Sequence, residues 1–200
     1  MGSLIDPVHF KDLAAGNPQG VVQRTGAVWD PGLLEYKIKV WGLSYTVDLT
    51  HGQIRPENLS RSVLPEYMDL FIVHYLMKAQ GLGVVNEWVS EKDIPGGSAF
   101  FRGPHTLPAR DIALAFGKDI KGFKAACTRL GGRPLAMGDA AFVFDITPKI
   151  PVAVLLWLGD EDFDADAGLL FDKTVARHLA LDIIYALGVL VCKTLAQRVT

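Results

Sequence analysis

The clearest pattern in the chain is strict alternation. Leu34, Tyr36, Ile38 and Val40 alternate with Glu35, Lys37 and Lys39, and after Gly42 the alternation resumes with Leu43, Tyr45, Val47 and Leu49. A period of two with one apolar side predicts a strand with one wet face, and two such runs across a glycine predict a β-hairpin. Before it, the segment to about Asp30 is weakly patterned, with turn signals at Gly16-Asn17-Pro18 and Trp29-Asp30-Pro31-Gly32. After it, Thr50 to Ser62 reads as a loop. Pro65-Glu66 then opens a helix whose apolar positions Met68, Phe71, Ile72, Tyr75, Leu76 and Ala79 recur at helical spacing, with Gly81 as its stop.

Val84 to Ser90 reads as a short strand, Pro95-Gly96-Gly97-Ser98 as a flexible loop, and Leu107 to Phe116 and Ile120 to Leu130 as amphipathic helices ended by glycines. Ala140 to Ile146 and Val152 to Leu158 are strands separated by Pro148 and Pro151. The second is apolar on both sides and is expected to be central and buried. From about Leu169 the chain reads as helical and increasingly apolar, with Gly188 a place for a kink. Leu179 to Leu195 is expected to pack across the sheet: its apolar stripe recurs every three or four residues, and it is interrupted by Asp182 and too short to span a membrane. Strands and helices do not alternate regularly. The expected fold is therefore α+β, a mixed and mainly antiparallel sheet packed against several helices with the C-terminal helix in the core, built as one domain over residues 1–200.

Composition narrows the function classes. In 200 residues, 20 basic and 22 acidic side chains leave a formal net charge of −2, so no global field attracts nucleic acid or an anionic membrane, and neither is expected as a partner. Lys118, Lys121, Lys124, Arg129 and Arg133 lie beside a buried stripe of Ile120, Phe123, Cys127 and Leu130 and read as the solvated face of one helix. Cys127 and Cys192 form no disulfide framework, metal knuckle or redox pair, which fits a reducing, cytoplasmic setting. Met1 to Lys11 lacks the basic and apolar regions of a signal peptide.

Several landmarks share an order and spacing: His74-Tyr75-Leu76, Pro95-Gly96-Gly97, Gly138-Asp139, Pro148 and Pro151, Trp157-Leu158-Gly159-Asp160-Glu161-Asp162-Phe163, and Leu170-Phe171-Asp172. Together, from roughly Leu34 to the C-terminus, they resemble the prokaryotic family of domain of unknown function 3786, with Asp162 where the family pattern has Glu. The resemblance implies a setting in anaerobic bacteria and archaea. Some members carry an added iron–sulfur domain, for which this chain lacks cysteines. It carries over no catalytic role and names no cofactor.

Candidate chemistry is carried mainly by carboxylates. Asp160, Asp162, Asp164 and Asp166 lie in one loop, where alternating acids can converge on a hard cation. Ala167 and Lys173 stand where a calcium loop of the EF-hand type requires Gly and Glu, so that motif is absent. The same acids can simply favour the start of a following helix or keep a sheet edge soluble. Asp139 precedes one strand and Asp160 follows the next. If the two strands are antiparallel neighbours, both carboxylates share one sheet edge, and with Glu161 they are candidates for acid/base work, against ordinary turn capping. Arg102 and His105, in a glycine-rich loop with Phe100 and Phe101, are candidates to hold an anionic ligand. His74 reads as a packed core histidine, His178 as a helical partner of Asp182 four residues on, and His9 and His51 as exposed loop residues. These features support a ligand- or metal-binding module working with another protein in anaerobic metabolism. The alternatives are a carboxylate acid/base enzyme acting on a small anionic molecule, and a structural or interaction protein with no small-molecule site.

Overall fold

The computed structural model describes residues 5–57 and 64–197. The fold is α+β. In chain order it begins with helices α1 (Val8–Ala15) and α2 (Pro18–Thr25), then strands β1 (Val28–Asp30), β2 (Glu35–Val40), β3 (Leu43–Asp48) and β4 (Gln53–Pro56). Helix α3 (Met68–Lys78), β5 (Trp88–Ser90), α4 (Gly97–Phe100), a 3-10 turn at Gly103–His105, α5 (Arg110–Phe116) and α6 (Ile120–Arg129) come next. The chain closes with β6 (Arg133–Leu135), β7 (Ala140–Thr147), β8 (Ile150–Trp157), β9 (Asp166–Asp172), α7 (Val175–His178) and α8 (Leu181–Ala196).

The strands form two antiparallel sheets, β1-β2-β3-β4 and β5-β9-β8-β7-β6. The hairpin expected from the alternation is β2–β3, paired from Glu35↔Asp48 to Val40↔Leu43. Its turn places both Trp41 (φ 47°) and Gly42 (φ 77°) in the left-handed region, the type I′ geometry whose twist suits a two-residue hairpin. Tryptophan tolerates that backbone because it is fixed on every side. Its amide donates to the Ile146 carbonyl at 2.8 Å, its indole Nε1 donates to the Leu130 carbonyl at 3.2 Å, and its ring packs edge-on to Phe144. The tip of the first sheet is thereby pinned to the end of the second.

In the second sheet, β8 lies between β7 and β9 and is buried along all but its last residue, as its doubly apolar sequence requires. One face carries Phe142, Phe144, Val152, Val154, Leu169 and Phe171 into the main core. The other carries the smaller cluster of Ala141, Val143, Ala153 and Leu155, flanked by Trp88, Leu135 and Leu170. Helix α5 lies against β8 and β9, α6 against β7, and α8 against α3 and α5. Ten residues of α8 are buried, and it runs unbroken through Gly188, where an added Cβ would stand 2.6 Å from Leu107. Among the described residues no helix is long and apolar enough to cross a membrane.

The main departure from expectation is the segment from Leu169. It is strand β9, not the start of a helix, and pairs with β8 from Val152↔Phe171 to Trp157↔Asp166. Its apolar run is too short for periodicity to separate strand from helix, and the free edge of β8 decides it. Other departures are smaller. The Thr50–Ser62 loop contains β4, with residues 58–62 outside the described residues, and β5 covers only the last part of Val84–Ser90. The Pro95–Ser98 stretch enters helix α4, and the weakly patterned N-terminal segment holds two helices and a strand.

The connection from α3 to β5 is irregular yet firmly held. Arg24 donates to the carbonyls of Leu76, Met77 and Ala79, capping the end of α3. Gln80 is gripped through its amide by Nδ1 of His178 (3.1 Å) and through its carbonyl by Lys149 (2.9 Å). Asp172, 2% exposed, accepts from the amides of Val85, Asn86 and Thr174 and from the Thr174 hydroxyl.

Candidate functional site

Strands β7 and β8 are antiparallel neighbours with Ala140 opposite Leu156, so Asp139 and Asp160 do emerge at the same end of the sheet. Both carboxylates hold backbone there. Asp139 extends the ladder through its amide to the Leu156 carbonyl (3.1 Å), and its Oδ2 accepts from the Leu158 amide at 2.8 Å. Asp160 Oδ1 accepts from the amides of Asp162 (2.9 Å) and Phe163 (2.8 Å), while its own amide donates to the Phe163 carbonyl (2.9 Å). This closes the loop on itself, an aspartate-initiated turn. The loop is also seated on the protein. Gly159 donates to the Gly117 carbonyl at the end of α5, and a Cβ on Gly117 would lie 2.3 Å from the Ala165 side chain. Ala165 therefore fills the space that glycine leaves.

The outer surface of this loop is acidic and apolar together. Asp160, Glu161, Asp162, Asp164 and Asp166 are all exposed. Phe163 at the tip is 74% exposed, Trp157 at the end of β8 is 42%, and Leu114 on α5 is 74%. Gly138 (φ +57°) turns the chain beside the Trp157 indole, and Met137, 39% exposed, precedes it. The acids do not cap a helix, because the loop leads directly into strand β9. Among the described residues, no three or more His, Cys, Asp or Glu side chains are grouped to hold a metal ion.

Arg102 and His105 occupy a different neighbourhood, against α8. Gly97 is fixed there by space, since a Cβ would fall 2.0 Å from the Glu91 carbonyl oxygen. Gly96 (φ +80°) approaches Leu181, Phe101 is buried, and Leu107 enters the notch at Gly188. His105 stacks on Phe100 (4.5 Å between ring centres, 14° between planes) and meets the edge of Tyr185 (5.4 Å), whose hydroxyl donates to the Pro104 carbonyl. The segment expected to flex is thus folded onto α8, with the Arg102 side chain exposed at its surface.

Two of the histidines, His178 and His9, differ from their expected places. His178 ends α7 and Asp182 opens α8, with Leu179 and Ala180 extended between them, so the two do not share a helical face. His178 is 1% exposed, and burial together with nearby Lys149 and Arg177 lowers its pKa against the pull of Asp172. His9 is a half-buried residue of α1, not an exposed loop residue, and it touches half-buried His74. His51 is exposed and bonds Asp48 at 2.9 Å. Burial pushes both cysteine thiols up to about 12, which keeps them protonated and poorly nucleophilic. The exposed lysines flanking the buried stripe of α6 form its solvated face, and Arg133 pairs with Asp145 across β6 and β7. Sequence reasoning missed Arg24 and Lys149, which carry no local signal. Asp172 stood within a recognised motif without a role.

Residues 17–194 match the family model described as Domain of unknown function (DUF3786), a match that begins earlier than the landmarks from Leu34 onward. No curated protein and no solved structure matches the chain.

Proposed function

We propose, starting from the fact that this chain belongs to the DUF3786 family, that it is a single-domain accessory protein that docks onto a basic surface of a partner protein through the Trp157–Asp166 loop. One observation carries this reading: a loop pinned from inside holds Phe163 and Trp157 out to solvent among five exposed carboxylates. Single exposed apolar residues are ordinary. Here aromatic side chains sit on a backbone that is already fixed, so binding pays little to order them, and aromatic anchors dominate interface energies. No Lys, Arg or His occurs from Leu158 to Asp172, and this one-signed field favours a partner bearing Lys and Arg and speeds its encounter.

The metal alternative has less support, because the acids point outward along a loop and are not gathered around one point. The acid/base alternative has less support because Asp139 and Asp160 each hold backbone amides, and His105 packs between Phe100 and Tyr185. The test compares capture from a lysate of the source organism by the wild-type chain, Phe163→Ala, and Asp162→Lys with Asp164→Lys. A protein captured by the wild type, lost with both variants and crosslinked to the loop through a lysine-rich surface is the expected result. Capture indifferent to these changes overturns the reading. Thermal stabilisation by Mg²⁺, Ca²⁺ or Mn²⁺ that the lysine variants abolish replaces it with the metal reading.

A further inference from the structure

Three helices meet around His74. Its ring on α3 lies 4.9 Å from that of His9 on α1, edge to face at 72°, and both residues are half-buried. Among the described residues, Asp182 at the start of α8 and Lys78 one turn along α3 are the other charged groups acting on His74; Asp6 and Asp12 flank His9 on its own segment. Nδ1 of His9 is buried with no hydrogen-bond partner among the described residues. A neutral imidazole can leave that nitrogen as a bare lone pair. An imidazolium carries N–H on both nitrogens, so charging His9 in place would leave a cationic donor buried and unpaired.

We propose that the His9–His74 contact is an acid-operated latch that holds α1 on the domain while the His74 ring is neutral and releases it when that ring is protonated. The helix is suited to separate movement. It lies outside the residues matched by the family model, and it is held chiefly by Phe10 and Leu13, with Phe10 resting over Gly52. Burial lowers the pKa of His74, with His9 and Lys78 acting in the same direction and Asp182 opposing. Undocking restores the ordinary proton affinity of His74, so the docked state is favoured above the free-histidine range and loses ground as pH falls below it. Release uncovers the apolar sides of α1 and α3 together, including Phe10 and Leu13.

Hydrogen exchange of the α1 amides in the full chain, corrected for the intrinsic effect of pH, tests the latch. Opening that takes up one proton grows by up to about tenfold per pH unit, so α1 opening is expected to rise about tenfold or more from about pH 7 to about pH 5, with β7 and β8 amides unchanged. The double variant His9→Phe, His74→Phe keeps two rings and cannot titrate, and its α1 is expected to show no such rise. An equal rise in the variant, or none in the wild type, overturns the proposal. Should the variant fail to fold, NMR titration of the wild type decides: His74 titrating below the free-histidine value supports the latch, and His74 titrating at or above it refutes it.

Discussion

Asp172 offers the sharpest test of how this fold is held. Its carboxylate is 2% exposed, and its two oxygens are divided between two chain segments. Oδ1 accepts from the Thr174 amide (3.0 Å) and hydroxyl (2.6 Å), and Oδ2 from the Val85 (3.1 Å) and Asn86 (2.7 Å) amides. Asn86 is held with φ at 59°, a left-handed backbone that the bond to Asp172 helps to fix. In Asp172→Asn, the carbonyl oxygen can replace Oδ1, but the amide group then faces the Val85 and Asn86 donors. The Val85 and Asn86 N–H groups, on exposed residues, lose a charged acceptor and can turn only partly to water; at about 1–2 kcal/mol each they give an expected loss of about 2–4 kcal/mol, and Asp172→Ala, which frees all four donors but leaves room for water, about 3–5 kcal/mol. Thr174→Val removes one bond and is expected to cost about 1 kcal/mol. Urea unfolding at neutral pH with an unchanged m-value measures all three. Burial pushes the Asp172 carboxyl up, but the bonds from Thr174, Val85 and Asn86 outweigh it and the net pKa is lowered. Its contribution is therefore complete above the ordinary aspartate value near ~4 and is lost as pH falls through the lower folded value, a dependence the alanine variant is expected to lack. A loss below about 1 kcal/mol for Asp172→Ala would refute the reasoning, because the donors would then have found water without cost.

Leu187→Ala and Leu190→Ala, at positions 0% and 2% exposed on α8, are each expected to cost about 2–5 kcal/mol in the same assay; changes below about 0.5 kcal/mol would make α8 a surface helix. Gly97→Ala is expected to destabilise by more than about 2 kcal/mol, since its Cβ would overlap the Glu91 carbonyl, which is backbone and cannot turn aside. Phe163→Ala is expected to change stability by less than about 0.5 kcal/mol, so that any loss of binding it causes is read as a loss of contact. Cys127 and Cys192, both buried with thiols pushed up to about 12, are expected to resist a thiol-labelling reagent until the protein unfolds; prompt labelling of the native chain would contradict their burial.

Sequence by itself determined those elements whose signal is local. Alternation specified β2 and β3, since a period of two with Gly42 between the runs leaves few alternatives to a hairpin. Double-sided hydrophobicity marked β8 as central, and three- and four-residue steps marked α5, α6 and α8. The placement of Asp139 and Asp160 was legible as a condition, that their strands pair antiparallel, and β7–β8 pairing met it. Tertiary structure decided whatever depends on a partner distant in sequence. Leu169 to Phe171 became strand because β8 offered an unpaired edge, and the extended residues Leu179 and Ala180 separated His178 from Asp182. His9 was brought to His74 by the docking of α1, a contact no spacing encodes. Several residues behind the family resemblance, among them Gly97, Asp139, Gly159, Asp160 and Asp172, proved to shape backbone. The physical reason is that a buried amide must find an acceptor and a close approach must find a glycine wherever the fold creates them, and only the packed chain shows where that is.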